Sequence, residues 1–305
     1  MRILVVGAGA TGGYFGGRLA EAGRDVTFLV RRTRAQTLRQ HGLQIISPCG
    51  DVVLRPTLVE AGDLADHYDV ILLTVKAFSL AAAMEDIAPA VGPETAIVPL
   101  LNGMGHLARL RERFGAEAVM GGVCKIAATL DAQGRIVHFT PPHQLFYGEL
   151  DDSRSARLAR IDAALRNAGF DACAAPSITT ALWEKWILLS SLGGITCLMR
   201  GTIGQVAAAP GGEAFARALI EEVASVAEAG GYRRRDEVIA ETTALLTQQG
   251  SPMTSSLYRD LIAGNAVEAD QIIGDLKARA DRAGLPVPLI SAVWTHLSVY
   301  QQNRG

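Results

Sequence analysis

Cysteine is scarce and scattered in this chain. The four cysteines among 305 residues, at positions 49, 124, 173 and 197, form no close pair and have no histidine at ligand spacing. That pattern indicates neither a disulfide framework nor a zinc site, and the four read as reduced, mostly buried thiols. Excess charge is also lacking: 29 Lys and Arg against 31 Asp and Glu leave a net charge of -2. No basic run is interleaved with aromatics, which make up only 6% of the chain, so no nucleic-acid surface is expected. The one basic cluster, Arg31, Arg32 and Arg34, suits a local anion better. No apolar run reaches the roughly 20 residues that a bilayer crossing needs, so no membrane segment is expected either. Met1 to Gly7 already forms an apolar strand running into a glycine turn, which leaves no room for a cleavable leader and predicts a cytoplasmic protein.

Apolar residues, by contrast, make up 49% of the sequence, enough for two cores in a chain of this length. Short apolar runs at 3–6, 25–30, 70–75 and 96–100 alternate with helical patterns at 12–22 and 81–91, which predicts a parallel sheet covered by helices. Weaker strands at 118–128, 134–139 and 144–148 continue it less regularly, and a helical stretch covers 155–168. From Ser177 onward helical periodicity dominates, with helices expected at 177–197, 212–229, 236–249, 256–263, 267–283 and 288–301. The expected fold is an α/β Rossmann-like domain over residues 1–175 followed by an all-α domain over 176–305.

The first strand leads directly into Gly7-Ala8-Gly9-Ala10-Thr11-Gly12 and then a helix. In that setting Gly7 allows the tight turn, Gly9 lets backbone approach a pyrophosphate and Gly12 permits close helix packing, so the motif reads as a dinucleotide site. An acid after the second strand usually holds the ribose hydroxyls of NAD, but here Arg31 follows the strand. A guanidinium binds a 2′-phosphate with directed hydrogen bonds, so the expected cofactor is NADPH. Two further loops follow strands on the same expected sheet edge. Lys76 in one suits a cofactor phosphate or ribose, and Asn102 in the other suits the nicotinamide ribose or a substrate.

Gly7 to Gly12, Val75-Lys76-Ala77, Asn102-Gly-Met-Gly105, Leu182-Trp-Glu-Lys185, and Ser255-Ser256 followed by Glu268 together resemble the ketopantoate reductase (2-dehydropantoate 2-reductase) family over almost the whole chain. The resemblance implies NADPH-dependent reduction of a 2-keto acid in a cleft between the domains. It implies Lys185 as general acid, Glu268 as an active-site acid that orients substrate or ribose, and Ser256 as a substrate-binding residue. Helical spacing places Lys185 with Ala181, Leu188, Leu189 and Leu192, surroundings expected to lower an ammonium pKa toward the useful range. Without the resemblance, Lys185 reads equally as a lysine extending out of an apolar face or pairing with Glu184, Glu268 as a first-turn acid favoured by the helix dipole, and Ser255 and Ser256 as caps of the following helix. Arg200 reads as a complement to a helix C-terminus.

The sequence departs from the family pattern four and eight residues after the lysine. Members acting on ketopantoate commonly carry asparagines there, where this chain has Leu189 and Gly193. A less polar or bulkier branched or aromatic 2-keto acid is therefore an alternative substrate, and an NADP(H)-binding sensor without turnover is another reading. A homodimer is compatible with either.

Overall fold

The structure is a computed structural model, and it describes residues 1–304. It separates into two compact units, the first formed by Met1–Leu101 and His106–Ala181, the second by Asn102–Gly105 and Leu182–Gly305.

The first unit is built on a five-stranded parallel sheet. Strands β1 (Arg2–Val6), β2 (Asp25–Leu29), β5 (Thr57–Val59), β6 (Val70–Leu73) and β7 (Ala96–Pro99) lie in the order β5-β2-β1-β6-β7. Val70–Leu73 and Ala96–Pro99 are buried at every position. Strands covered on both faces read as uninterrupted apolar runs, which is why these stand out in the sequence. Strand order reverses at β1, between β2 and β6, and the chain leaves β1 through the glycine turn into α1 (Ala10–Glu21).

The Arg31 cluster is not wholly a loop. Arg32–His41 forms helix α2, with Arg31 as its N-cap. The helix is polar apart from buried Ala35 and Leu38, too narrow a stripe to give a clear helical period. Helix α3 (Leu80–Ile87) follows β6, and α4 (Gly105–Phe114), absent from the sequence reading, follows β7.

A second sheet, mixed in direction, comprises β3 (Leu43–Ile46), β4 (Val52–Leu54), β8 (Gly121–Leu130), β9 (Ile136–Gly148) and β10 (Asp171–Ala174). The two strands expected at 134–139 and 144–148 are one strand, β9, interrupted by a wide bulge. His138 pairs with Ala128 and His143 with Ile126, so the four residues Phe139 to Pro142 stand opposite the single residue Ala127. Pro141 and Pro142 have no N–H to give the ladder, which is why the irregularity falls there. Helix α5 (Ala156–Leu165) packs beside β10.

Glu149, at the end of β9, is buried and accepts hydrogen bonds from Arg157 at 2.6 and 2.7 Å and another from Ser155. Hydrogen bonding from Arg157 holds its carboxyl below the ordinary value of 4.5, outweighing burial, which acts the other way. A lowered folded-state pKa adds stability above the ordinary value, and that stability is lost as pH falls through the folded-state value. Glu149→Gln is expected to flatten the decline of Tm on acidification below about pH 4.5, measured by thermal melts. Parallel pH profiles for variant and wild type would show that this pair does not set the acid limb.

The second unit is helical: α6 (Ile178–Met199, whose first four residues count with the first unit), α7 (Ile203–Ala208), α8 (Gly212–Ala229), α9 (Asp236–Leu246), α10 (Ser256–Ile262), α11 (Asp275–Arg282) and α12 (Pro288–Arg304). Arg200 lies just past α6 with φ 57°, in the left-handed conformation that closes a helix. The helix expected at 267–283 begins at Ala269, and its first part, Asp270–Gly274, is a π turn rather than an α-helical one. No helix among the described residues is long and apolar enough to cross a membrane.

Candidate active site

On the first unit, the glycine motif lies at the carboxyl end of β1, where the strand order reverses. Gly7 has φ +95°, which a side chain would strain, and a Cβ on Gly12 would stand 2.1 Å from Thr74 Oγ1 and 2.2 Å from the Gly7 carbonyl. Thr74 Oγ1 itself donates to the carbonyls of Val6 at 2.7 Å and Gly7 at 3.0 Å, so the end of β6 fixes the turn. A Cβ on Gly9, in contrast, would meet nothing within 4 Å. Gly9 is the N-cap of α1, makes no side-chain capping bond, and has no acidic residue in the turn after it. Open space over uncapped amides at the positive end of a helix fits a pyrophosphate. Ala8, Ala10 and Thr11 complete this turn, with Ala8 buried and the other two half-buried.

The arginines divide between two tasks. Arg34 turns inward, donating to the Ala8 carbonyl at 2.9 Å and the Gly134 carbonyl at 2.8 Å, and burial lowers its pKa. Arg31 is exposed and donates to Ser79 Oγ at 3.2 Å. Ser79 lies three residues after Lys76, which is exposed at the N-cap of the short turn that follows β6. The structure thus gathers the glycine turn, Arg31 and the Lys76 turn at one edge of one sheet, where ligands of open α/β sheets bind. Neither Ser79 nor Thr74 carries a sequence signal of its own.

On the second unit, three of the proposed residues belong to backbone segments that meet at the π turn, residues 270–274. Glu268 immediately precedes the helix, and its carbonyl accepts the Ile272 N–H at 3.2 Å. It is therefore not a first-turn acid. The Ile272 carbonyl in turn accepts from Trp186 Nε1 at 2.9 Å and Ser190 Oγ at 3.1 Å, both on α6. Trp186 adjoins Lys185, and Ser190 lies five residues beyond it. Gly103, beside Asn102, has φ +76°, and a Cβ there would stand 2.4 Å from the Gln271 carbonyl. Three segments far apart in the chain therefore meet on residues 271 and 272, bringing the backbone at Asn102, Lys185 and Glu268 to one neighbourhood. π turns recur at functional sites because they reorient the residues beside them. Nothing in the sequence foretells this one.

Around Lys185 the helix is firmly anchored. Trp183 and Trp186 stack at 5.1 Å, and the Arg279 guanidinium lies over both rings at 5.4 and 5.1 Å. Lys185 is half-buried, as are Ala181, Leu188 and Leu189, while Leu192 is buried. Glu184 lies 3.2 Å from Arg235, an ion pair by distance but without hydrogen-bond alignment. Ser255 is the cap of α10, accepting from the Tyr258 N–H at 2.9 Å and bonded to Thr196 Oγ1 at 2.9 Å. Ser256 is therefore not the cap, and it is exposed. At Gly193 a Cβ would stand 3.2 Å from Leu257, so that face of α6 is covered by an apolar side chain.

Comparison with known proteins extends this geometry. Residues 3–152 match the family model for ketopantoate reductase PanE/ApbA, and residues 177–301 match that for its C-terminal part. The chain is 35% identical over 304 residues to the uncharacterized oxidoreductase YkpB of Bacillus subtilis (strain 168), with both chains fully covered. The crystal structure of 2-dehydropantoate 2-reductase from Geobacter metallireducens GS-15 superposes with a TM-score of 0.89 at 27% identity, covering 98% of this chain and 99% of that one. D-Mandelate dehydrogenase, solved with NADH and anilino(oxo)acetate, has the same fold at a TM-score of 0.89 and 23% identity, over 100% of this chain and 99% of that one. Together with the glycine turn at a sheet reversal, the family matches place the chain among nicotinamide-dependent oxidoreductases. The chain belongs to the ketopantoate reductase family, whose members act on CH–OH groups with NAD(P)H.

Proposed function

We propose that the protein reduces a 2-keto acid to the 2-hydroxy acid with NADPH, ketopantoate being the leading substrate and pantothenate synthesis its setting. The gathering of Asn102, Lys185 and Glu268 about the π turn is the observation that carries this reading. Bound NADPH would supply hydride to the carbonyl carbon. Lys185 would donate the proton to the carbonyl oxygen, Asn102 would orient ribose or substrate through its paired donor and acceptor, and Glu268 would orient ribose or substrate. Ser256 would bind substrate from the start of α10. Gly7 to Gly12 and Lys76 would hold the dinucleotide, and Arg31 would read the 2′-phosphate. A cytoplasmic location and a homodimer go with this proposal.

A second reading, an aromatic or branched 2-keto acid lacking a hydroxyl, is favoured by Gly193. Leu257 lines the space beside it, and Leu189 lies one turn before on the same helix, so neither family asparagine has a polar replacement. The test is a panel of 2-keto acids with NADPH oxidation followed by absorbance. Fastest turnover of ketopantoate supports the first reading, and turnover at or below that of simple branched 2-keto acids supports the second. No oxidation with any of them would overturn both in favour of a sensor.

Arg31→Glu is expected to weaken NADPH binding by about 10- to 100-fold and NADH by much less, because a carboxylate repels the 2′-phosphate. Fluorescence titration of the two cofactors checks this. Equal losses would show that Arg31 does not read the phosphate.

A further inference from the structure

Away from the proposed active site, the second sheet of the first unit draws together Cys49, His138 and His143, and one ligand atom from each lies within 4.8 Å of the others. Cys49 is remote in sequence from the two histidines. Cys49 lies in the β3–β4 connection, while the two histidines flank the β9 bulge. In a regular strand, residues five apart face opposite sides, and the four-residue bulge cancels that alternation. The rings end up stacked, with planes 13° apart and centroids at 5.6 Å.

Each imidazole is oriented by a second group. His143 Nδ1 is 2.6 Å from the hydroxyl of fully buried Tyr14, and His138 Nδ1 is 2.9 Å from Ser47 Oγ, which also accepts from the Cys49 N–H at 3.0 Å. The tautomer with protons on both Nδ1 atoms leaves both Nε2 lone pairs as ligands. This is the arrangement that metal-binding histidines use, with one nitrogen on the ion and the other held from outside. In the metal-free protein His138 Nε2 donates to the Pro142 carbonyl at 3.3 Å and the Cys49 thiol to the Pro141 carbonyl at 3.7 Å. Binding an ion at Nε2 moves the His138 proton to Nδ1, where Ser47 Oγ accepts it.

We propose that Cys49, His138 and His143 bind a thiophilic divalent transition-metal ion of the zinc class, with a fourth position left to solvent. Two imidazoles and a thiolate suit borderline-soft ions and exclude magnesium or calcium. Tetrahedral bonds of about 2.0–2.3 Å place donor atoms roughly 3.5 Å apart, so the cluster contracts by about 1 Å on binding. Cys49 is exposed and makes that adjustment by side-chain rotation. The thiol proton passes to solvent as the sulfur–metal bond forms, and no electrons are transferred. The ion clips the β3–β4 connection to the β9 bulge.

The test uses the untagged full-length protein, stripped with a chelator and titrated with Co²⁺ and then Zn²⁺. One Co²⁺ per chain is expected to give a thiolate-to-cobalt charge-transfer band that Zn²⁺ abolishes. Cys49→Ser is expected to remove the band while keeping the wild-type Tm of the metal-free protein, and His143→Gln and Tyr14→Phe to weaken affinity by about 10- to 100-fold. Cofactor binding is expected to be unchanged in Cys49→Ser. A titration without a thiolate band overturns the proposal, as does a band that survives Cys49→Ser or an affinity indifferent to His143→Gln.

Discussion

Lys185→Ala is expected to lower kcat by about 10²- to 10⁴-fold, the usual contribution of a positioned general acid, while NADPH affinity changes by no more than a few-fold. The separation follows from where the residues lie. The glycine turn, Arg31 and the Lys76 turn belong to the first unit, and Lys185 belongs to α6 in the second. Helix α6 is held independently of the lysine by the Trp186 and Ser190 bonds to Ile272 and by Arg279 over the paired tryptophans, so removing one half-buried ammonium leaves the helix in place. Single-turnover kinetics with a saturating 2-keto acid reads the chemical step directly. Lys185→Arg is expected to recover little, since a guanidinium remains protonated at any working pH and is a poor proton donor. Unchanged kcat in Lys185→Ala would remove the residue from the proposed mechanism.

Gly12→Ala is expected to be the most damaging single-methyl change in the first unit. The added carbon would lie 2.1 Å from Thr74 Oγ1 and 2.2 Å from the Gly7 carbonyl, both far inside contact distance. Only movement of α1 away from β1 and β6 relieves this. Overpacking of this kind costs about 1–3 kcal/mol, and the displaced helix start no longer presents its amides to a pyrophosphate. A lower Tm together with NADPH affinity reduced at least about tenfold is the expected pair of results, by thermal melts and fluorescence titration. Thr74→Ala should not rescue the variant, because the backbone clash with Gly7 remains. Gly9→Ala is the control: its Cβ would meet no protein atom within 4 Å, so Tm should hold while cofactor affinity falls. Wild-type NADPH affinity in both variants would detach the turn from the cofactor.

How far the sequence discloses the fold depends on burial pattern. Strands β1, β2, β6 and β7 are apolar runs between turn signals, and the glycine turn sits directly after the first, so the half that resembles a dinucleotide domain is easy to read. Strands β3 and β4 are short and only half-buried in alternation, and α2 carries just two buried residues, so neither has a clear period. The paired prolines made β9 read as two strands. On the helical unit Lys185 and Glu268 are candidates only through the family resemblance. What joins their neighbourhoods is the Ile272 carbonyl, a backbone group with no residue-type signature. Cys49 shows the same limit: the sequence suggested a buried thiol without nearby histidines, whereas folding exposes it and places it beside two that lie about 90 positions away.

The π turn at 270–274 carries one residue more per turn than the α-helix that follows it. Each residue of an α-helix advances about 100° around the axis and about 1.5 Å along it. Loss of one residue from this turn would let the segment close as α-helix, and the Ile272 carbonyl, which Trp186 and Ser190 now share, would be the first group displaced.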